Sequence, residues 1–392
     1  MSTATETPQQ RWSLARNLLV VRLDNLGDVL MTTPAFAAIR ETTPCARLTL
    51  LGSPSGSALA PHVPQLDDVI EYRAPWVKQP PGPHDSAAAL GQAEGRLIDR
   101  LAARRFDAAI VFTTCTQSAL PAALMCRLAG IPLRLAHSRE NPYDLLTDWV
   151  AETDAIGDGM RHEVARQLAL VATVGFRTTD QRLRFTLDAQ AQASLRSELR
   201  RADVDPMRRY VVVHPGATAP SRRYPAERFG IAADLIARQS GRAILFSGAG
   251  GEVALIEQAR RAMTMPSQSL GGRLDLRQLG ALIAGADLLV ANNSGPVHIA
   301  AALGTPVADL YALTNPQHTP WRVPARVLNH DVPCRNCLKS VCPEGHHDCL
   351  RKVEPEAIAS AALELIGSAG PTGALPRALL PRSPDLPLET TS

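Results

Sequence analysis

The residues best able to do chemistry in this chain sit just after short apolar runs. In Arg22-Leu-Asp-Asn-Leu-Gly-Asp28 a glycine and a carboxylate follow such a run and open a helical pattern. Gly27 permits a tight turn or the close approach of a ligand. Asp28 has two readings there: a helix N-cap, or a general base that takes a proton from an attacking hydroxyl. His214-Pro-Gly-Ala217 and Ser221-Arg-Arg-Tyr224 put a glycine turn beside two guanidinium groups. Arg222 and Arg223 either stay as solvated surface charges or donate to phosphate oxygens. Their place just after a strand end favours phosphate.

Ser247-Gly-Ala-Gly-Gly-Glu252 resembles a phosphate-binding turn without spelling the dinucleotide fingerprint, so it carries little weight alone. Glu252 opens the next helix, where it either bonds a ribose hydroxyl or complements the helix dipole. The most specific stretch is Asn292-Asn-Ser-Gly-Pro-Val-His298, running on to Gly304-Thr-Pro306. A polar turn through Asn293, Ser294 and Gly295 at a helix N-terminus is an inbuilt anion site. His298, in the first turn, is a ligand or a packed polar residue. Cys334-Arg-Asn-Cys337, with Cys342, Cys349 and the His346-His347 pair, suits either tetrahedral zinc or a cluster of reduced thiols.

These residues need elements to hold them. Asn17–Arg22, 47–51, 69–72 and 108–112 read as strands, with a helix after Asp28 whose first turns take Pro34 and a helix over 87–104. Residues 74–86, rich in Pro and Gly, read as a loop. A second series holds strands at 210–214, 243–246, 287–290 and 307–310. Strands alternating with helices predict parallel sheets covered on both faces. The expected organisation is a disordered lead over 1–14, doubly wound α/β domains over 15–200 and 207–365, and a disordered Pro/Gly-rich tail over 368–392. Two such domains place two sets of strand C-termini across a cleft, where open α/β sheets bind ligands.

The 392 residues suffice for two domain cores without disulfides or metals. A net charge of +3 without clustered basic runs argues against a nucleic-acid binder. The N-terminus lacks an apolar signal segment, and no apolar run approaches the ~20 residues of a membrane span. A cytoplasmic protein is expected, its mild positive charge compatible with an anionic small substrate or an anionic membrane surface.

Taken together, NLLVVRLDNLGDVLMTTPA, HPGATAPSRRYPAERF, SGAGGE, NNSGPVHIAAALGTP and the cysteine segment resemble glycosyltransferase family 9, the ADP-heptose:lipopolysaccharide heptosyltransferases, over about residues 16–365. The cysteine segment is similar to that of heptosyltransferase II-like members. The resemblance implies a GT-B fold of two Rossmann-like domains facing a cleft, with an N-terminal acceptor domain and a C-terminal sugar-nucleotide domain. It implies an inverting transfer of heptose from ADP-heptose to a lipopolysaccharide core acceptor, with no cofactor and no bound catalytic metal. It assigns Asp28 as general base. Arg222 falls where the family usually has Lys on the donor phosphate, Glu252 on the ribose-holding residue, and Ser294, Gly295 and His298 on the diphosphate loop. Asn293 departs from the Asp common in the family, which puts donor preference in question. Arg134, His137 and Arg139 look like part of an acceptor-side loop, or are ordinary basic residues of a surface loop. The alternatives are a GT-B transferase using another nucleotide sugar and a nucleotide-binding relic without catalysis.

Overall fold

The computed structural model describes residues 6–77, 90–157 and 159–368. The Pro/Gly tail from 369, the stretch 78–89 containing most of the expected 74–86 loop, and the start of the 87–104 helix lie outside them.

The first half holds strands β1 (Asn17–Arg22), β2 (Arg47–Gly52), β3 (Asp68–Glu71), β4 (Ala108–Val111), β5 (Leu133–Ser138) and β6 (Asp148–Ala151). Its helices are α1 (Pro8–Ser13), α2 (Leu26–Thr42), α3 (Pro54–Ser57), α4 (Gln92–Arg104), α5 (Leu120–Leu128) and α6 (Glu163–Ala172). After α7 (Ala189–Arg201) come β7 (Tyr210–His214), β8 (Ala243–Phe246), β9 (Ser267–Ser269), β10 (Leu288–Asn292), β11 (Val307–Leu310) and β12 (Ala325–Leu328). The remaining helices are α8 (Ala226–Ser240), α9 (Val253–Arg261), α10 (Leu276–Ala284), α11 (Gly295–Leu303), α12 (Asp348–Arg351) and α13 (Pro355–Ser368).

Both sheets are six-stranded and parallel, in the orders β3-β2-β1-β4-β5-β6 and β12-β11-β10-β7-β8-β9. Each reverses direction between its two central strands, β1 and β4 in one and β7 and β10 in the other, and ligands of open α/β sheets bind at that point. β1 shows why the apolar runs were legible: Leu18 and Val20 join the core on one face, Leu19 and Val21 that on the other. One core cluster runs through both halves, joining Phe36 of α2 to Val297 and Ile299 of α11. The two halves are therefore joined by helix packing, α2 against α11.

Three expectations need correcting. The lead is not wholly disordered: α1 is capped by Thr7, and Trp12 is fully buried against Phe176, with Nε1 donating to Asp148 at 2.9 Å. Helix α7, assigned to the first domain, packs on α10 of the second; Gln278 Nε2 donates to Ser194 Oγ at 2.7 Å. Pro34 lies inside α2, not in its first turns. Proline cannot donate to the carbonyl four residues back, and the Thr33 hydroxyl supplies that bond, donating to Leu30 O at 2.6 Å.

Candidate active site

Helix α2 starts at the end of β1, so Asp28 enters the cleft at the first sheet's reversal point. Asp28 is not the N-cap of α2: Asn25 holds that position, and Asp28 stands three residues on, its Oδ2 accepting from the Asn25 backbone N–H at 3.2 Å. Asp28 also lines a cavity of about 490 Å³. Behind it, Arg22 is fully buried at the end of β1. Its guanidinium stands 2.9 Å from Asp24, 2.9 Å from Glu163 and 3.5 Å from Asp28. Burial raises the Asp28 carboxyl above the usual range, opposed by Arg22. Burial likewise pushes Asp24 up to about 6, against the pull of Arg22. Burial also opposes the charge on Glu163, but Arg22 and Arg166 outweigh it and hold that carboxyl below its ordinary value.

The opposite wall comes from the second sheet. Ala217, Arg222, Asn293, Ser294, Gly295, His298 and His318 line the same cavity as Asp28. Arg222 ends a 3-10 turn after β7, and its charge reaches Asp28 across the cavity. Ser294 is the N-cap of α11, its hydroxyl donating to Asn292 O at 3.1 Å. The N-terminal backbone dipoles of α11 thus border the cavity, where an anion is favoured. Asn292 ties two strand ends together, accepting from Tyr224 N and donating to Pro215 O. Burial lowers His298 to about 3 and His318 to about 4. Both are neutral at physiological pH and offer hydrogen bonds, not charge. A fixed cation and a helix N-terminus facing a carboxylate can hold a diphosphate on one wall and take a proton at the other.

Other expected residues are placed differently. Glu252 does not line the cavity. Its Oε2 accepts from Ala249 N at 2.8 Å, and it packs on Gly216 so closely that a Cβ there would fall 2.1 Å from Oε1. Arg223 donates to Ala217 O. Arg134 and His137 lie on strand β5, not in a loop. Arg134 is buried and donates to the carbonyls of Ile131, Pro132, Asp144 and Leu145, so its guanidinium is committed to the protein's own backbone. This corrects the acceptor-contact reading of Arg134. His137 and Arg139 border a smaller polar pocket with Glu152 and Arg166, and Arg139 also donates to Cys115 O and Asp154 O. Burial lowers His137 to about 4. The four cysteines Cys334, Cys337, Cys342 and Cys349 are free thiols, with Cys334 3.8 Å from His346. Among the described residues no group of three or more metal-ligating side chains is arranged around a common centre.

The sequence reading passed over Arg22, Glu163, Asp309 and His318. Two of them carried a signal. Arg22 ends, and Asp309 interrupts, a run otherwise apolar enough to be a buried strand, and a charge in such a place needs a partner. Glu163 and His318 carried none, since each reaches the cleft from a segment distant in sequence.

The model of glycosyltransferase family 9 (heptosyltransferase) matches residues 95–347. The chain is 26% identical over 353 residues to lipopolysaccharide heptosyltransferase 2 of Escherichia coli K12, covering 87% of this chain and 96% of that protein. Its fold matches the glycosyl transferase family 9 structure from Veillonella parvula with a TM-score of 0.76 at 20% identity, covering 94% of this chain and 100% of the other. It also matches E. coli ADP-heptose lps heptosyltransferase II with a TM-score of 0.68 at 21% identity, covering 90% and 99%.

Proposed function

The chain belongs to glycosyltransferase family 9, and from that premise we propose that it moves a heptose from ADP-heptose to a sugar hydroxyl of a lipopolysaccharide core. The observation that carries this reading is one cavity bordered by Asp28 on one side and by Arg222 and the N-terminus of α11 on the other. The acceptor oxygen attacks the anomeric carbon as the bond to the diphosphate oxygen breaks, with inversion. Asp28 takes the hydroxyl proton. The charge gathering on the departing ADP is met by Arg222, the Ser294–Gly295 turn and the dipole of α11. His298 and Asn293 supply neutral hydrogen-bonding groups to the donor, and Glu252, packed on the Gly216 turn beside the cavity-lining Ala217, is the candidate to hold the ribose.

No helix among the described residues is long and apolar enough to cross a membrane. An acceptor carried on lipid fits peripheral contact with the cytoplasmic face of the inner membrane. Exposed Arg96 and Arg100 of α4 and Leu124, Arg127 and Leu128 of the adjoining α5 offer an outer face of mixed apolar and basic character for it.

The test is a transfer assay with ADP-heptose and truncated core acceptors, following ADP release and the glycosylated product. Product with ADP-heptose supports the reading. Transfer from UDP- or GDP-sugars in its place would reject the donor, and ADP-heptose binding without any transfer would reject catalysis.

A further inference from the structure

A carboxylate that this mechanism does not use lies directly beneath the donor loop. Asp309 sits in β11, fully buried, where a charge is costly unless bonded. Its Oδ2 accepts from Asn293 Nδ2 at 3.0 Å, and its Oδ1 has no partner among the described residues. The same Asn293 amide nitrogen donates to His318 O at 2.8 Å, and the Asn293 backbone N–H donates to Leu310 O at 3.2 Å. Both protons of the amide nitrogen are thus spent on the protein, which fixes its rotation and leaves the amide oxygen with bonding capacity. Asn293 borders the cavity between His318 and Ser294.

The asparagine at 293 and the aspartate at 309 make one arrangement. An amide and a carboxylate at this distance bond, whereas two carboxylates would repel. We propose that Asp309 is a positioning residue for the donor: it locks the Asn293 side chain and, through it, sets the Asn293–Gly295 turn against the phosphate subsite. This rests on the reading of that cavity as the ADP-heptose site.

The test uses the full chain and the variants Asp309→Ala, Asp309→Asn, Asn293→Asp and the double exchange Asn293→Asp with Asp309→Asn. The readouts are calorimetric binding of ADP, which needs no transfer, and KM for ADP-heptose against kcat. Losing one such bond is worth about tenfold. Asp309→Ala should therefore raise the ADP dissociation constant and the donor KM by about tenfold while kcat moves far less. Asp309→Asn keeps an oxygen that accepts the same N–H and should restore most of the affinity. Asn293→Asp alone should weaken binding, because its carboxylate would face both Asp309 and the carbonyl of His318. The double exchange should recover the part owed to Asp309 but not the bond to His318 O, giving a non-additive coupling between the two sites. If Asp309→Ala does not fold, the asparagine variant and the exchange still decide the question. Unchanged affinity in Asp309→Ala, an Asp309→Asn variant that folds yet binds no better than the alanine variant, or additive effects in the exchange would overturn the proposal. Failure of the unsubstituted protein to bind ADP would instead overturn the reading of the cavity itself.

Discussion

Gly27 and His298 meet across the cleft: a Cβ on Gly27 would lie 2.8 Å from the His298 ring carbon Cδ2. One residue belongs to the helix that carries Asp28, the other to the helix whose N-terminus faces the donor side. Their contact sets how closely the two walls approach.

Gly27→Ala should therefore either force α2 and α11 apart or drive the His298 ring into the cavity it lines. Overpacking of this kind costs about 1–3 kcal/mol. Thermal unfolding should show the loss, and donor KM should rise with it. Unchanged unfolding and kinetics would mean that the walls yield freely there.

Asp28→Ala and Asp28→Asn should lower turnover by roughly 10²–10⁴-fold, the usual worth of a general base, while leaving ADP-heptose affinity nearly intact. The base must be ionised to act, so kcat/KM should climb as pH rises. Because burial raises the Asp28 carboxyl, that climb should fall above the ~4 of an ordinary aspartate. A pH–rate profile checks both points, and near-normal turnover in either variant would reject the role.

Arg222→Ala removes a cation that lines the cavity opposite Asp28 and is proposed to meet the donor diphosphate. A charge-assisted hydrogen bond contributes about 1.5–3 kcal/mol, so donor KM should rise on the order of 10–100-fold. Arg222→Lys keeps the charge without the planar fork and should recover part of the loss. Titration with ADP alone separates this from any effect on the acceptor.

Glu163→Ala strips the buried Arg22 of a partner at 2.9 Å. Breaking a buried pair on one side costs about 3–5 kcal/mol. Since the folded state holds Glu163 below its ordinary value, the carboxylate stabilises the fold above the unfolded value of ~4.3 and stops doing so as pH falls through the lower folded value. Denaturant unfolding across that acid range should fall less steeply in the variant than in the parent protein. Equal slopes would show that Glu163 is not a source of the acid sensitivity.

Much of the frame was readable from local pattern. β1, β7, β8 and β11 stand where the apolar runs put them, because a strand buried on both faces needs an unbroken apolar run. β5, β6, β9 and β12 escaped notice. Arg134 and His137 break the run in β5, β9 contains only Ser267, Gln268 and Ser269, and β6 and β12 are half exposed, so none of them shows such a run.

What the sequence alone determined is the list of strand ends at which Asp28, Arg222 and the Asn293–His298 turn emerge, since strand length and the turn residues that follow are local properties. Only the tertiary structure decided that these ends share one cavity, that Arg134 is consumed by backbone carbonyls, and that Asp309 lies under Asn293. Those facts depend on strand order, on the register of β10 with β11 and on the packing of α2 against α11. They arise from contacts between residues far apart in the chain, which no local periodicity records.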